Sequence, residues 1–236
     1  YHQFCKENKI HNKMIVFESF MGRKYADSPQ AIYEEMIKDD YFNDFTFVWS
    51  FRKPQEKVTI PALNRAVLIK YRSKEFYNYY AKAKYIVSNS RIDNIIQRRD
   101  GQIYVQTWHG TPLKRLGYDI EVGDNALHTK DELNKLYKLD SERYTYLLSP
   151  SAFCTEKFSS AFNLPVNNPN VEIVQEGYPR NDFLSNYKLD DVQRVRKSLG
   201  IENVDKKIIL YAPTWRDNQY KNGGYSLDLP VDFKKL

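Results

Sequence analysis

One histidine and a set of basic turns are the residues in this sequence best suited to chemistry. His109 lies in the run Thr107-Trp108-His109-Gly110-Thr111-Pro112-Leu113-Lys114-Arg115, directly after the apolar stretch 103–106. A free imidazole titrates near pH ~6.5 and can take a proton from a hydroxyl near neutrality. A transferase that activates an acceptor hydroxyl needs such a base within hydrogen-bond reach. A histidine in this place can equally be structural, donating to a backbone carbonyl, and position alone does not choose. His128 falls in a polar loop and reads as solvated, and His2 and His11 suggest nothing.

The cations follow a common rule. Four apolar runs are each followed by a turn containing Arg or Lys: Glu18-Ser19-Phe20-Met21-Gly22-Arg23, the His109 run, Gln175-Glu176-Gly177-Tyr178-Pro179-Arg180-Asn181-Asp182, and Tyr211-Ala212-Pro213-Thr214-Trp215-Arg216. Arg presents a planar fork that suits phosphate oxygens, glycine lets the backbone approach a ligand closely, and helix N-termini offer free N–H groups to anions. Any one of these cations could simply decorate a solvated loop. Four at one rim would make a phosphate-binding crevice.

To reach one rim they must stand at the same ends of neighbouring strands. Strands are expected at 14–17, 45–49, 66–69, 85–87, 103–106, 144–148, 171–174 and 208–210. Several are apolar on consecutive residues, as in strands buried on both faces of a parallel sheet. Helices are expected between them. Ser28 with Pro29 supplies an N-cap and first-turn proline, and Ser90 with Asp93 opens a segment carrying Ile92, Ile95 and Ile96. Thr111-Pro112 is placed to start another, and Thr129 with Glu132 is a capping box. Cys154, Phe158 and Phe162 recur at helical spacing, which makes Cys154 a core residue rather than a reactive thiol. Val192, Val195 and Leu199 mark a helix that Gly200 ends. Alternating strands and helices predict an α/β fold with a Rossmann-like, mainly parallel sheet, whose ligands bind beyond the carboxyl ends of the strands. The expected division is a lead-in at 1–13, one domain over 14–200, and the start of a second, truncated domain at 201–236.

Composition narrows the classes. The 236 residues carry 36 Lys and Arg against 30 Asp and Glu, a net charge of +6 that is compatible with anionic partners. The basic residues form no dense run and no nucleic-acid module is recognisable, so no nucleic-acid partner is expected. The two cysteines form no CxxC pair and the histidines have no metal-ligand spacing, so neither a disulfide framework nor a metal is expected, and a reducing, cytoplasmic setting is. No apolar run approaches the ~20 residues needed to span a bilayer. Glycine-rich dinucleotide and P-loop patterns, the zinc-protease motif and the hydrolase elbow are missing, and no cofactor is expected. Tyr71, Tyr77, Tyr79, Tyr80 and Tyr85 invite a carbohydrate-stacking reading, but core packing explains the 19 tyrosines more simply.

The His109 run, the Gly177–Asp182 run, the Tyr211–Arg216 run and the opening Ile15-Val16-Phe17-Glu18-Ser19-Phe20-Met21-Gly22-Arg23 together resemble the CDP-glycerol glycerophosphotransferase family, in the family's order. The resemblance implies the acceptor-side, N-terminal half of a GT-B architecture, in which two Rossmann-like domains face each other across a cleft. It implies transfer of glycerol phosphate or ribitol phosphate from CDP-glycerol or CDP-ribitol to a hydroxyl of a lipid-linked polyol-phosphate polymer. CMP leaves, and the enzyme works peripherally at the inner face of the membrane. His109 matches the family's general base. On the phosphate side Arg180 and Arg216 are the leading candidates, followed by Lys114 and Arg23; Gly110, Asn181 and Asp182 complete the substrate-binding set. The family's donor-domain motifs have no counterpart here. Two rivals remain: a nucleotide-sugar transferase of the same architecture, and a non-catalytic module that binds phosphate polymer.

Overall fold

The computed structural model describes residues 1–122, 128–201, 207–212, 220–221 and 224–225. The chain divides into two compact units, Tyr1–Asn186 and Tyr187–Leu236. The first is built on a seven-stranded sheet: β1 His11–Glu18, β2 Thr46–Phe51, β3 Ala66–Lys70, β4 Ala83–Ser88, β5 Ile103–Gln106, β6 Tyr146–Leu148 and β7 Glu172–Val174. Their order is 3-2-1-4-5-6-7 and all six pairings are parallel. Because every strand points the same way, every turn after a strand emerges at one edge. The order reverses between β1 and β4, where open parallel sheets bind their ligands.

The continuous apolar runs do what two-sided burial requires. In β1, Met14 through Glu18 are all buried, and alternate side chains enter two separate cores. Val16, Val48, Ile86, Tyr104 and Leu147 line one. Ile15, Phe17, Phe47, Trp49 and Val87 line the other. The edge strands β3 and β7 are only partly covered. The tyrosines belong to this packing: Tyr80 is fully buried, and Tyr71, Tyr77, Tyr79 and Tyr85 lie against the cores.

Flanking helices are α1 His2–Glu7, α2 Asp27–Met36, α3 Lys74–Lys82, α4 Lys130–Ser141, α5 Ala152–Ala161, α6 Leu164–Asn167 and α7 Asp182–Asn186. Thr129 and Glu132 form the expected capping box of α4. Cys154 and Phe158, with Phe162 at the end of α5, are buried as their spacing indicated. The second unit holds α8 Leu189–Ser198, followed by Gly200 at φ +66°, and a two-stranded antiparallel pair, β8 Tyr220–Lys221 and β9 Gly224–Tyr225.

Several local expectations fail for physical reasons. Residues 2–7 and 11–13 are helix and strand rather than a lead-in. The two units part after Asn186, which puts α8 in the second unit instead of the first. Ser28 does not cap α2. The cap position is Ala26, and the Asp27 carboxylate accepts the Ser28 N–H at 2.6 Å while Ser28 is buried inside the first turn. The segment after Ser90 is not helical. Arg143 Nη1 donates to the carbonyls of Asp93 and Ile96 at 3.1 and 2.9 Å, tying the segment down, while the Ile96 N–H closes a single turn onto Asp93 O at 3.1 Å. Asp93 accepts the Ile95 N–H in a local turn instead. No helix starts at Thr111-Pro112 either, and 208–210 is exposed without forming a strand.

Candidate active site

His109 is set by a chain of contacts that begins in the core. The α5 stripe supplies Phe158 and Phe162, whose rings pack edge-on against Trp108 at 6.0 and 5.0 Å. Trp108 is buried with φ +52°, a conformation bulky residues adopt only when their surroundings impose it. Its N–H donates to Gln106 Oε1 at 2.9 Å, and the Thr107 N–H donates to Ser88 O at 2.9 Å, fastening the β5 turn to the end of β4. This reversal turns the next residue outward, and His109 is exposed at the carboxyl edge of the sheet.

There the imidazole Nδ1 lies 2.6 Å from the backbone carbonyl of Asn89. A carbonyl can only accept, so Nδ1 carries the proton and, in the neutral ring, Nε2 is left as a bare acceptor. The structural and catalytic readings of His109 are therefore compatible. The carbonyl bond that the structural reading requires is what leaves Nε2 open as an acceptor.

Asn89 has a second task. Its side-chain Oδ1 accepts the Phe20 N–H at 2.8 Å, and Ser90 Oγ accepts the Met21 N–H at 3.1 Å. The β1 turn is thus tied across the switch point to the β4 turn, and the Phe20 ring meets the His109 ring edge-on at 5.8 Å. Phe20, Met21 and Gly22 all have positive φ, at 50, 54 and 72°. At Gly22 an added Cβ would also come within 3.1 Å of the Arg52 backbone nitrogen. Gly22→Ala is expected to cost roughly 1–3 kcal/mol, read as a lower denaturant midpoint with unchanged slope.

Two other turns close on the same place. Tyr178 donates its hydroxyl to Gly110 O at 3.0 Å, holding the β7 turn against the residue after His109. Arg180 stacks over the Tyr178 ring at 4.3 Å, and its Nη1 donates to both oxygens of Asp27 at 3.0 Å. Asp27 has φ +68° at the start of α2. The β1, β5 and β7 turns thus meet at one edge, bringing His109, Gly110 and Arg180 together.

The remaining expected site residues are less concentrated. Asn181 and Asp182 are exposed just beyond Arg180, where Asp182 begins α7. Arg23 is exposed in the β1 turn. Lys114 is exposed and lines, with Leu113, Arg115, Phe153 and Lys157, a cavity of about 640 Å³ that shares no lining residue with the His109 cluster. Arg216 lies outside the described residues. No α-helix begins within 110–122 after His109, and the N-termini of α2 and α7 carry their own carboxylates, Asp27 and Asp182. Among the described residues no group of His, Cys, Asp and Glu could hold a metal ion.

Glu18 was not singled out as a site residue from sequence, although it lies within the opening motif. It stands opposite Ser88 at the switch point, fully buried, with Oε2 accepting the Tyr80 hydroxyl at 3.1 Å. Its Oε1 and the Asn89 Nδ2 are buried without partners. Burial raises its pKa from 4.5 to about 7. Between those two values an unfolded chain has given up the Glu18 proton while the folded one keeps it. The Glu18 contribution to stability is therefore full below pH 4.5 and is lost as pH rises to about 7. Glu18→Gln is expected to remove that loss and to raise unfolding free energy above pH 7 by roughly 3 kcal/mol, with little effect at pH 4. Denaturant titrations at the two pH values check it.

The geometry has parallels among known proteins. The family model for CDP-glycerol:poly(glycerophosphate) glycerophosphotransferase matches residues 1–236. The chain belongs to this family. It is 39% identical over 234 residues to a teichoic acid poly(glycerol phosphate) polymerase of Staphylococcus epidermidis, covering 98% of this chain and 31% of that protein. Identity to the polymerase of the same description from Bacillus spizizenii is 38%, over 95% of this chain and 55% of that one. Among solved structures, the wall teichoic acid polymerase TagF, as a histidine-to-asparagine variant soaked with CDPG, superposes with a TM-score of 0.83 at 38% identity. That match covers 96% of this chain and 53% of the TagF chain. The chain therefore spans from about a third to about half the length of these family members. Their likeness agrees with the α/β, Rossmann-like fold class expected from the sequence.

Proposed function

We propose that this chain forms the acceptor-side part of a transferase that moves glycerol phosphate from CDP-glycerol to a hydroxyl of a teichoic-acid type polymer. The acceptor oxygen attacks the donor phosphorus that bears glycerol, the bond from that phosphorus to CMP breaks, and the acceptor proton passes to His109 Nε2. The observation that carries this reading is the Nδ1 bond to Asn89 O, which leaves Nε2 as the acceptor on an exposed ring. Family membership and the poly(glycerol phosphate) polymerases at 38–39% identity support the substrate class. Arg180 keeps Nε and Nη2 for phosphate oxygens, while Asp27 holds Nη1. Arg216 joins it in this reading.

The acceptor is lipid-linked and the reaction runs at the inner membrane face, a setting favoured by the net charge of +6. Among the described residues no helix is long and apolar enough to cross a membrane. The test is to incubate the full-length protein with CDP-glycerol, CDP-ribitol and nucleotide sugars and to identify the nucleotide released. CMP from CDP-glycerol, with polymer growth, is expected. Nucleoside diphosphate from a sugar donor would identify a sugar transferase. Saturable polymer binding without CMP would identify a non-catalytic module.

A further inference from the structure

The β2 and β3 turns deliver two more arginines to the carboxyl edge of the sheet. Arg52 follows β2 and Arg72 lies two residues past β3. Each is gripped by its Nε. Arg52 Nε donates to Met21 O at 3.1 Å, and Arg72 Nε donates to Asp93 Oδ2 at 2.5 Å. Both guanidinium groups lie over one ring, Tyr71, at 5.6 and 5.3 Å. Arg72 adopts φ +59°, a backbone state that places it beside that ring at a conformational cost.

Holding an arginine by Nε over an aromatic ring restrains the guanidinium without using its two terminal nitrogens. Here those nitrogens have no partner among the described residues. Arg52 is exposed and the Arg72 side chain is 62% exposed. One buried carboxylate, Asp93, is paired with Arg72, and Arg52 forms no ion pair among the described residues, so the pair keeps a net positive charge. Arg52 is bonded to the residue after Phe20, whose ring touches His109. The arrangement is two forks over one ring, with Arg52 linked to the proposed base through the β1 turn.

We propose that Arg52 and Arg72 form a phosphodiester-binding subsite that holds the polyol-phosphate acceptor chain behind the hydroxyl presented to His109. This deepens the functional reading above and rests on it. A single phosphate engages one fork, whereas successive phosphodiesters of one chain engage both. The subsite therefore favours polymer over monomer.

The test measures binding by the 236-residue chain at low salt, using a lipid-free glycerol phosphate decamer, monomeric glycerol 3-phosphate and phosphatidylglycerol vesicles as parallel probes. The parent should bind the decamer well above the monomer. Arg52→Gln should weaken decamer binding roughly tenfold, and Arg52→Gln with Arg72→Gln further still. Arg52→Lys, which keeps charge but loses the fork, should recover only part of the loss. Lys38→Gln, in an exposed pair with Glu35, should change nothing. Arg52→Gln alone leaves Asp93 paired, and an unchanged melting curve for it excludes unfolding as the cause. No decamer binding by the parent, equal binding by the variants, or an arginine-dependent affinity seen only with vesicles overturns the subsite. A failure of the functional reading looks different: decamer binding that depends on Arg52 and Arg72, with no CMP released from CDP-glycerol by the full-length protein.

Discussion

His109→Ala is expected to lower glycerol phosphate transfer by a factor of about 10² or more, measured as CMP release by the full-length protein. General bases contribute about 10²–10⁴ to such reactions. The loss should fall on kcat rather than on KM for CDP-glycerol, because the role proposed for the ring is to take the acceptor proton as the new bond forms. The fold should survive. The His109 ring is exposed, and the β5 turn stays fastened by Trp108, Thr107 and the Tyr178 bond to Gly110. A variant that transfers at nearly the parent rate would remove His109 from the mechanism.

Arg143→Met should produce the largest loss of stability, about 3–5 kcal/mol, read from urea unfolding. Arg143 and Asp140 form a buried ion pair at 2.7 Å, with side chains 4% and 1% exposed. Burial pushes the Asp140 carboxyl upward against the lowering pull of Arg143. Removing the guanidinium leaves that carboxyl buried with the Tyr144 hydroxyl as its remaining side-chain donor. It also frees the carbonyls of Asp93 and Ile96, which Arg143 holds. That segment continues from Asn89, so the damage should reach the anchor of His109. Adding Asp140→Asn should recover part of the stability, because a neutral amide costs less to bury than an unpaired carboxylate.

The parts of this molecule that were legible in the sequence are those where local pattern and tertiary packing agree. Met14–Phe17 reads as a strand buried on two faces and is one. The Thr129 and Glu132 capping box depends only on neighbours in the chain, and it forms. The parallel order brings the β1, β5 and β7 turns to one edge, as the spacing of motifs after strands required. Failures occur where a distant side chain decides. Nothing near Asp93 announces that Arg143, 50 residues later, will donate to its carbonyl and tie down a non-helical segment. Nor does anything near Arg180 announce that Asp27, 153 residues earlier, will hold its Nη1. Asn89 escaped notice because its importance lies partly in a backbone carbonyl, which sequence cannot distinguish. The signal available was its place among Ser88, Asn89 and Ser90, polar residues that are all buried at the end of a central strand. Arg52 and Arg72 also follow strands and obey the same rule as the turns that were noticed.

The mechanism depends on which nitrogen of one ring carries the proton. Nitrogen-15 NMR of the labelled chain, at a pH where His109 is neutral, reads this directly. The account predicts the hydrogen on Nδ1, bound to Asn89 O, and a bare Nε2. A neutral ring protonated on Nε2 would leave no acceptor for the incoming hydroxyl and would contradict it.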